Sequence, residues 1–257
     1  MSAEGAARFA QYAYPPNELG YCGPAGARAM LDPDATEDIA RRARQFEGAW
    51  SYLEVLAEHA GVDDPLDVSV IDAYWVGSDL LDDLDPAALV ARLEDRFRGQ
   101  LGGSWRDAST RALAHHSFQV FEVYPWAAML AEGRPAGPAV QVLDRCRIRL
   151  GEVLAVDGEE VEVATRLLAW DDGVLAESPP GVERARWSAG GRSLIDAPAV
   201  GDTVTLHWDW VCEVVSPERA DQVVEREARQ RASVGLSPDG PPDPGRTPPG
   251  RRAGWCR

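Results

Sequence analysis

The sequence predicts an α+β protein: an N-terminal all-α domain, then a small β-barrel with a C-terminal helix. Three observations carry this reading. Residues 1–133 place apolar side chains at helical spacing behind recognisable caps. Residues 134–139, Arg-Pro-Ala-Gly-Pro-Ala, form a linker, after which apolar residues alternate. About five or six such runs fill residues 140–216, the size of a small barrel. A charged helical stretch occupies 217–234.

In chain order, Asp34-Ala-Thr-Glu37 has the spacing of a capping box. It opens a helix through Phe46, Trp50, Leu53 and Leu56 that stops at Gly61. Asp67 caps a helix carrying Val70, Ile71, Tyr74 and Trp75. Asp85-Pro86 sets a cap before a proline at the first helical position, with Leu89, Leu93 and Phe97 on one face. Phe118, Phe121, Tyr124 and Met129 make a last helix that Pro125 kinks or ends. Beyond the linker, Val140, Val142, Ile148, Val153 and Val156 fall in strand-like runs. Asp157-Gly158 is a hairpin turn before Val161 and Val163, and Asp171 to Gly173 is another after Leu167 to Trp170. Val182 to Trp187 and Val204 to Val215 supply the remaining strands. From Pro217 to Ser233 a helix carries Val223 and Val224 as its large apolar residues, so it packs by a narrow stripe. Residues 235–257 carry too little apolar surface to offset the entropy of ordering and are expected to be disordered.

Composition excludes some partners. The net charge of −16, from 42 acidic and 26 basic residues, repels polyanions, and no locally basic segment offsets it, so nucleic acid is not expected to bind. No run approaches the roughly 20 apolar residues that span a bilayer. The N-terminus lacks a basic region followed by an apolar one, which predicts a cytoplasmic protein without membrane contact. Every basic residue is arginine. Cysteines stand at 22, 146, 212 and 256 without a C-x-x-C pair, which argues against a disulfide framework and a structural zinc site and for reduced thiols.

Cys146 is the most informative of these residues, because it opens Cys-Arg-Ile-Arg-Leu-Gly-Glu-Val at the mouth of the barrel and a histidine, His207, returns on a later strand, which suggests a soft metal ligand or a nucleophile. In Leu206-His-Trp-Asp-Trp210, alternation sets His207 opposite Leu206, with Asp209 and Val211. Trp208, Trp210 and Cys212 then share the core face with Leu206. Cys22 sits in Gly20-Tyr-Cys-Gly-Pro24, a tight turn needing its glycines; a helix beginning there would also depress the thiol pKa. His115 and His116 are adjacent and diverge on a helix, which makes joint ligation awkward. The acidic cluster at 79–85 reads as solvated surface and caps. Asp32-x-Asp34 lacks the calcium-loop spacing, and the glycine pairs at 102–103 and 190–191 carry no phosphate-loop pattern. Cys256, in the tail, has no expected role.

Residues 144–234 resemble the HypC/HybG/HupF chaperones of nickel–iron hydrogenase maturation. The resemblance rests on Cys146-Arg-Ile-Arg-Leu-Gly151-Glu-Val153, on Gly201-Asp-Thr-Val-Thr-Leu-His207, and on the helix after Ser216. The chain departs from the family in three ways. Cys146 is internal behind Asp144-Arg145, whereas the family cysteine follows the initiator methionine; Leu150 replaces the usual proline; and Gly181 to Pro198 is partly an insertion. The resemblance implies that the barrel is OB-like and that the protein is a non-enzymatic cytoplasmic chaperone transiently carrying an Fe(CN)2CO unit on Cys146. It would pass that unit to a hydrogenase large subunit in concert with a HypD-like protein. Gly151, Asp202 and His207 would be binding residues, with His207 a second ligand or a hydrogen-bonding group. Arg145 and Arg147 would lower the thiol pKa and balance the cyanide charge. Tyr14 to Pro24 resembles an uncharacterised family of high-GC bacteria. Two other readings stay open: a protein-binding scaffold without a metal role, and a thiol-dependent hydrolase or transferase. The latter would use Cys22 or Cys146 as nucleophile and His115, His116 or His207 as base.

Overall fold

The computed structural model describes residues 2–32, 34–97, 105–171 and 173–235. Residues 236–257, the expected disordered tail with Cys256, lie outside the described residues.

Helix α1 (Ala3–Glu18) is the centre of the helical layer. The Ser2 hydroxyl accepts from the Gly5 N–H at 3.3 Å to cap it, and Phe9, Tyr12, Ala13 and Tyr14 are wholly buried. The long helix expected over 34–60 is two, α2 (Thr36–Ala43) and α3 (Glu47–Ala60). No capping box forms: Ala35 precedes α2 without a side-chain cap, and the Asp34 N–H is taken by Asp32 Oδ1 at 3.1 Å. The break at Phe46 has a packing cause. Its ring turns inward edge-on to Phe9 at 5.2 Å and lies against the chain at Gly23, where a Cβ would come within 2.4 Å of it. As expected, α3 ends at a left-handed Gly61.

Helices α4 (Val68–Trp75) and α5 (Pro86–Arg96) follow the sequence reading, capped by Asp67 and Asp85. The expected last helix is shorter. One turn, α6 (His116–Phe118), passes into a π-helical turn at 119–123 and ends before Pro125, and α7 (Trp126–Ala131) resumes.

The main correction concerns residues 134–147. They are neither linker nor strand: α8 (Ala136–Cys146) runs directly into the barrel. Ala139, Leu143 and Cys146, at helical spacing, form the buried stripe, whereas Val140 and Val142 only flank it. The apparent alternation at those valines is the two edges of a helical face.

The strands are β1 (Arg149–Asp157), β2 (Glu160–Thr165), β3 (Leu168–Asp171), β4 (Val174–Glu177), β5 (Gly181–Arg186), β6 (Thr203–His207) and β7 (Trp210–Val214). Five close a barrel in the order β1-β2-β5-β7-β6, antiparallel except for the β5–β7 seam at Arg186 and Trp210. That is the Greek-key arrangement of an OB barrel, as the sequence predicts. Residues 181–186 form the barrel strand that the sequence places at Val182 to Trp187. The β3–β4 hairpin leaves the barrel and packs on α8 through Leu168 and Leu175.

The barrel interior holds Val153, Val161, Val163, Ala185, Val204, Leu206 and Val211. Its outer wall is buried too, because Ile148, Trp210 and Cys212 belong to the helical core. Trp210 and Cys212 are thus core residues, as expected, but on the face opposite Leu206. The two-residue turn after His207 resets the alternation: Trp208 has φ +58°, and Leu206 pairs with Val211. Helix α9 (Pro217–Ser233) is capped by Ser216, buries Val223 and leaves Val224 half-exposed. Its Arg219 grips Asp72 on α4 at 2.7 and 3.0 Å and Glu213 on β7 at 3.0 Å, and Arg8 on α1 joins both carboxylates at 3.3 and 2.8 Å. No helix among the described residues is long and apolar enough to cross a membrane.

Candidate metal centre

Three chain segments meet where the helical layer covers the barrel wall: the end of α8, the end of β6 and the start of α6. They bring together Cys146, His207 and His116, whose ligand atoms all lie within 4.8 Å of one another. His207 is fully buried, and His116 and Cys146 expose only 5% and 7%. The imidazole rings meet edge-on at 5.1 Å, and Trp75 packs on both, at 4.5 Å from His116 and 5.6 Å from His207. Water is largely excluded.

Hydrogen bonding sets the tautomers. His207 Nδ1–H donates to the Tyr12 carbonyl at 2.7 Å, so Nε2 carries a lone pair; that atom is buried with no partner. His116 Nε2–H donates to the Cys146 carbonyl at 2.7 Å, and its Nδ1 lies 3.4 Å from the Tyr74 hydroxyl. Burial pushes His116 down to about 4 and His207 well below its ordinary value, so both rings are neutral at pH 7. Burial, and then the neighbouring Cys22 thiol, push the Cys146 thiol well up. The pocket therefore holds two neutral imidazoles and a protonated thiol, a donor set suited to a borderline or soft transition-metal ion.

The arginines expected to activate Cys146 serve other groups. Arg145 grips Glu183 at 2.6 and 3.1 Å; Arg147 is buried among Asp144, Glu177 and Glu227. Arg149, equally buried, bonds Glu183 at 2.9 Å and the Trp208 carbonyl. These carboxylates neutralise the cations, and desolvation dominates at sulfur. The expectation of a lowered Cys146 pKa is thereby corrected.

Of the other sequence candidates, Gly151 faces the barrel interior, where a Cβ would lie 3.1 Å from Leu206 and 3.2 Å from Val163; it is required by packing. Asp202 Oδ2 accepts from the Ala199 N–H at 2.8 Å and fixes the turn before β6. It lies at the opposite end of that strand from His207, about 16 Å away at strand rise. Cys22 sits in the glycine turn as expected: Gly20 and Gly23 have φ +78° and +80°, and Asn17 Nδ2 donates to the Cys22 and Pro24 carbonyls at 2.8 Å each. Its thiol is pushed up to about 12 by burial rather than down by a helix terminus. His115 caps α6, accepting at Nδ1 from the Ser117 N–H and hydroxyl, and points away from the pocket. The adjacent histidines diverge as the sequence predicts, and one of them completes the cluster. Sequence reasoning offered His116 to Cys146 only as a catalytic base and did not join them as ligands, because 30 residues and an intervening helix, α7, separate them.

Trp208 packs in the apolar cluster of Cys146 and also lines an open cleft of about 590 Å³ with Leu19, Tyr21, Val182, Arg145 and Glu183. Its left-handed backbone is held by its own N–H to the Arg145 carbonyl at 2.7 Å, by Arg149 on its carbonyl, and by Tyr21 stacked at 4.1 Å. Strain of this kind persists only where neighbours enforce it.

Fold and site together define a helix-covered OB barrel with a buried imidazole–thiol pocket at the junction of the two layers. The chain belongs to a family of unknown function, DUF6390, whose model matches residues 1–236. No curated protein matches the chain, and no solved structure does.

Proposed function

We propose that this protein is a hydrogenase maturation or assembly chaperone that presents Cys146 to an iron centre or to a hydrogenase subunit. The observation that carries the reading is the pairing of Cys146, just before β1, with His207, at the end of β6, in an OB-ordered barrel. Those are the positions at which the sequence resembles the HypC/HybG/HupF chaperones. A thiolate is a soft ligand for low-spin iron bearing CO and cyanide, and attachment through one sulfur permits release to a second protein. The cargo is an Fe(CN)2CO unit, and the partners are a hydrogenase large subunit or a HypD-like protein in the cytoplasm. The cleft beside Trp208, with Leu19, Tyr21 and Val182 exposed, is the face on which a client reaches the pocket. Against a thiol-dependent enzyme stand the upward-shifted pKa values of Cys22 and Cys146 and the burial of Cys146.

The test is anaerobic purification of the tagged protein from its native cell, with mass spectrometry of partners and infrared spectra of the CO and cyanide stretching region. Hydrogenase subunits or a HypD-like protein in the eluate, with bands that vanish in Cys146→Ala, are the expected result. Partners without bands would leave a docking scaffold. Neither partners nor bands would sink the reading.

A further inference from the structure

We propose that His116, from the helical layer, is a third protein ligand. With Cys146 and His207 it builds a mononuclear site that takes a first-row divalent cation directly, before any partner binds. The inference deepens the proposed function and rests on it for the Cys146–His207 pair; the third ligand is new. Three observations carry it. The donor atoms of all three residues lie within 4.8 Å of each other, whereas a tetrahedral N2S shell with bonds of roughly 2.0–2.3 Å puts donors about 3.3–3.8 Å apart, so closure takes motions on the order of 1 Å.

Secondly, the lone pair of His207 Nε2 is buried without a partner, while its Nδ1–H is anchored on the Tyr12 carbonyl. A ring nitrogen oriented by a backbone carbonyl through its other nitrogen is the arrangement of a metal-ligating histidine. Left empty, such a buried acceptor is a desolvated polar group without compensation. Thirdly, Trp75 packs on both imidazoles and fixes their mutual angle.

On binding, a metal–sulfur bond replaces the S–H bond of Cys146, and the proton leaves to solvent. His116 exchanges one of its two present hydrogen bonds, to the Cys146 carbonyl or the Tyr74 hydroxyl, for the metal. Three protein ligands leave a fourth coordination position open, as in sites that exchange ligands rather than in closed structural ones. That position is where an incoming donor would attach.

The experiment is anaerobic titration of the full chain with Co2+ as spectroscopic probe. Expected are one equivalent bound, d–d bands of four-coordinate intensity, and a thiolate-to-cobalt charge-transfer band lost in Cys146→Ser. His116→Gln is expected to weaken binding by roughly tenfold or more, since loss of mere outer-shell support already costs about 10–100-fold. Exposed His59→Gln serves as the control and leaves binding unchanged. Because His116→Gln is a buried change, hyperfine-shifted imidazole proton signals of the cobalt-loaded unaltered protein provide a second readout, with two histidines expected. Signals from one histidine, or unchanged affinity in a folded His116→Gln, overturn the third ligand while the Cys146–His207 pair stands. A charge-transfer band that survives Cys146→Ser, or no cobalt bound at all, overturns both.

Discussion

At the scale of single residues, Gly23 and Tyr12 show how local chemistry is coupled to the pocket. Gly23 combines φ +80° with a Phe46 ring where a Cβ would sit at 2.4 Å. Gly23→Ala therefore strains the backbone and overpacks the core, and urea unfolding should show a loss of about 1–3 kcal/mol. Tyr12 contributes twice: its carbonyl orients His207, and its hydroxyl donates to Glu213 at 2.6 Å. Tyr12→Phe spares the carbonyl and removes the hydroxyl's bonds to Glu213 and to Thr205 Oγ1 at 3.3 Å, while Glu213 keeps Arg8 and Arg219. The expected cost is about 1 kcal/mol with metal binding intact, so a denaturation curve and a cobalt titration should diverge for this variant. These residues also mark what the sequence can reveal. The glycine turn and the core status of Trp210 and Cys212 follow from residue type and spacing. The pairing with His116 depends on how two layers dock, and no local pattern encodes it. The arginines beside Cys146 misled for the same reason: their carboxylates, Glu183, Glu177 and Glu227, are distant in the chain.

At the scale of elements, caps and periodicity were legible where one face of a helix meets one core. Asp67, whose Oδ1 accepts from the Ser69 N–H at 2.9 Å, is such a case, and Asp67→Ala should lower stability by about 1 kcal/mol. Helix α8 was not legible, because a helix with Pro and Gly at its start and flanking valines mimics a linker followed by a strand. Helix α1 meets the barrel through Glu18, which binds Arg186 at 2.6 Å and accepts from the Tyr14 hydroxyl at 2.7 Å. Burial alone would raise the Glu18 pKa, but the Arg186 and Tyr14 hydrogen bonds outweigh it and hold the carboxyl below its ordinary value. The sign follows: a depressed folded-state pKa stabilises fully above the unfolded value of about 4.3 and loses that contribution as pH falls through the folded value. Glu18→Gln should therefore flatten the pH dependence of stability below about pH 4.5, while leaving its slope near neutrality unchanged.

At the scale of the whole molecule, the helical layer shares its core with the outer wall of the barrel, while the barrel keeps an interior of its own. Ile148, Trp210 and Cys212 leave the barrel wall to join the helices, and Arg8, Asp72, Glu213 and Arg219 connect α1, α4, β7 and α9. Unfolding by urea should then be a single transition, with tryptophan fluorescence and far-ultraviolet circular dichroism coincident; separated midpoints would show two independent domains. Arg219→Met should shift both probes together.

The three cysteines of the described chain lie at graded depth: Cys22 half-buried, Cys146 at 7% exposure and Cys212 at zero. Each is thereby a clock at a different level of the fold. Under native conditions the rate at which a thiol reagent captures each sulfur measures the free energy of the smallest opening that exposes it. Cys212, where the barrel wall joins the helical core, is expected to react only on global unfolding, and Cys146, in the smaller cluster with Trp208, on a lesser opening.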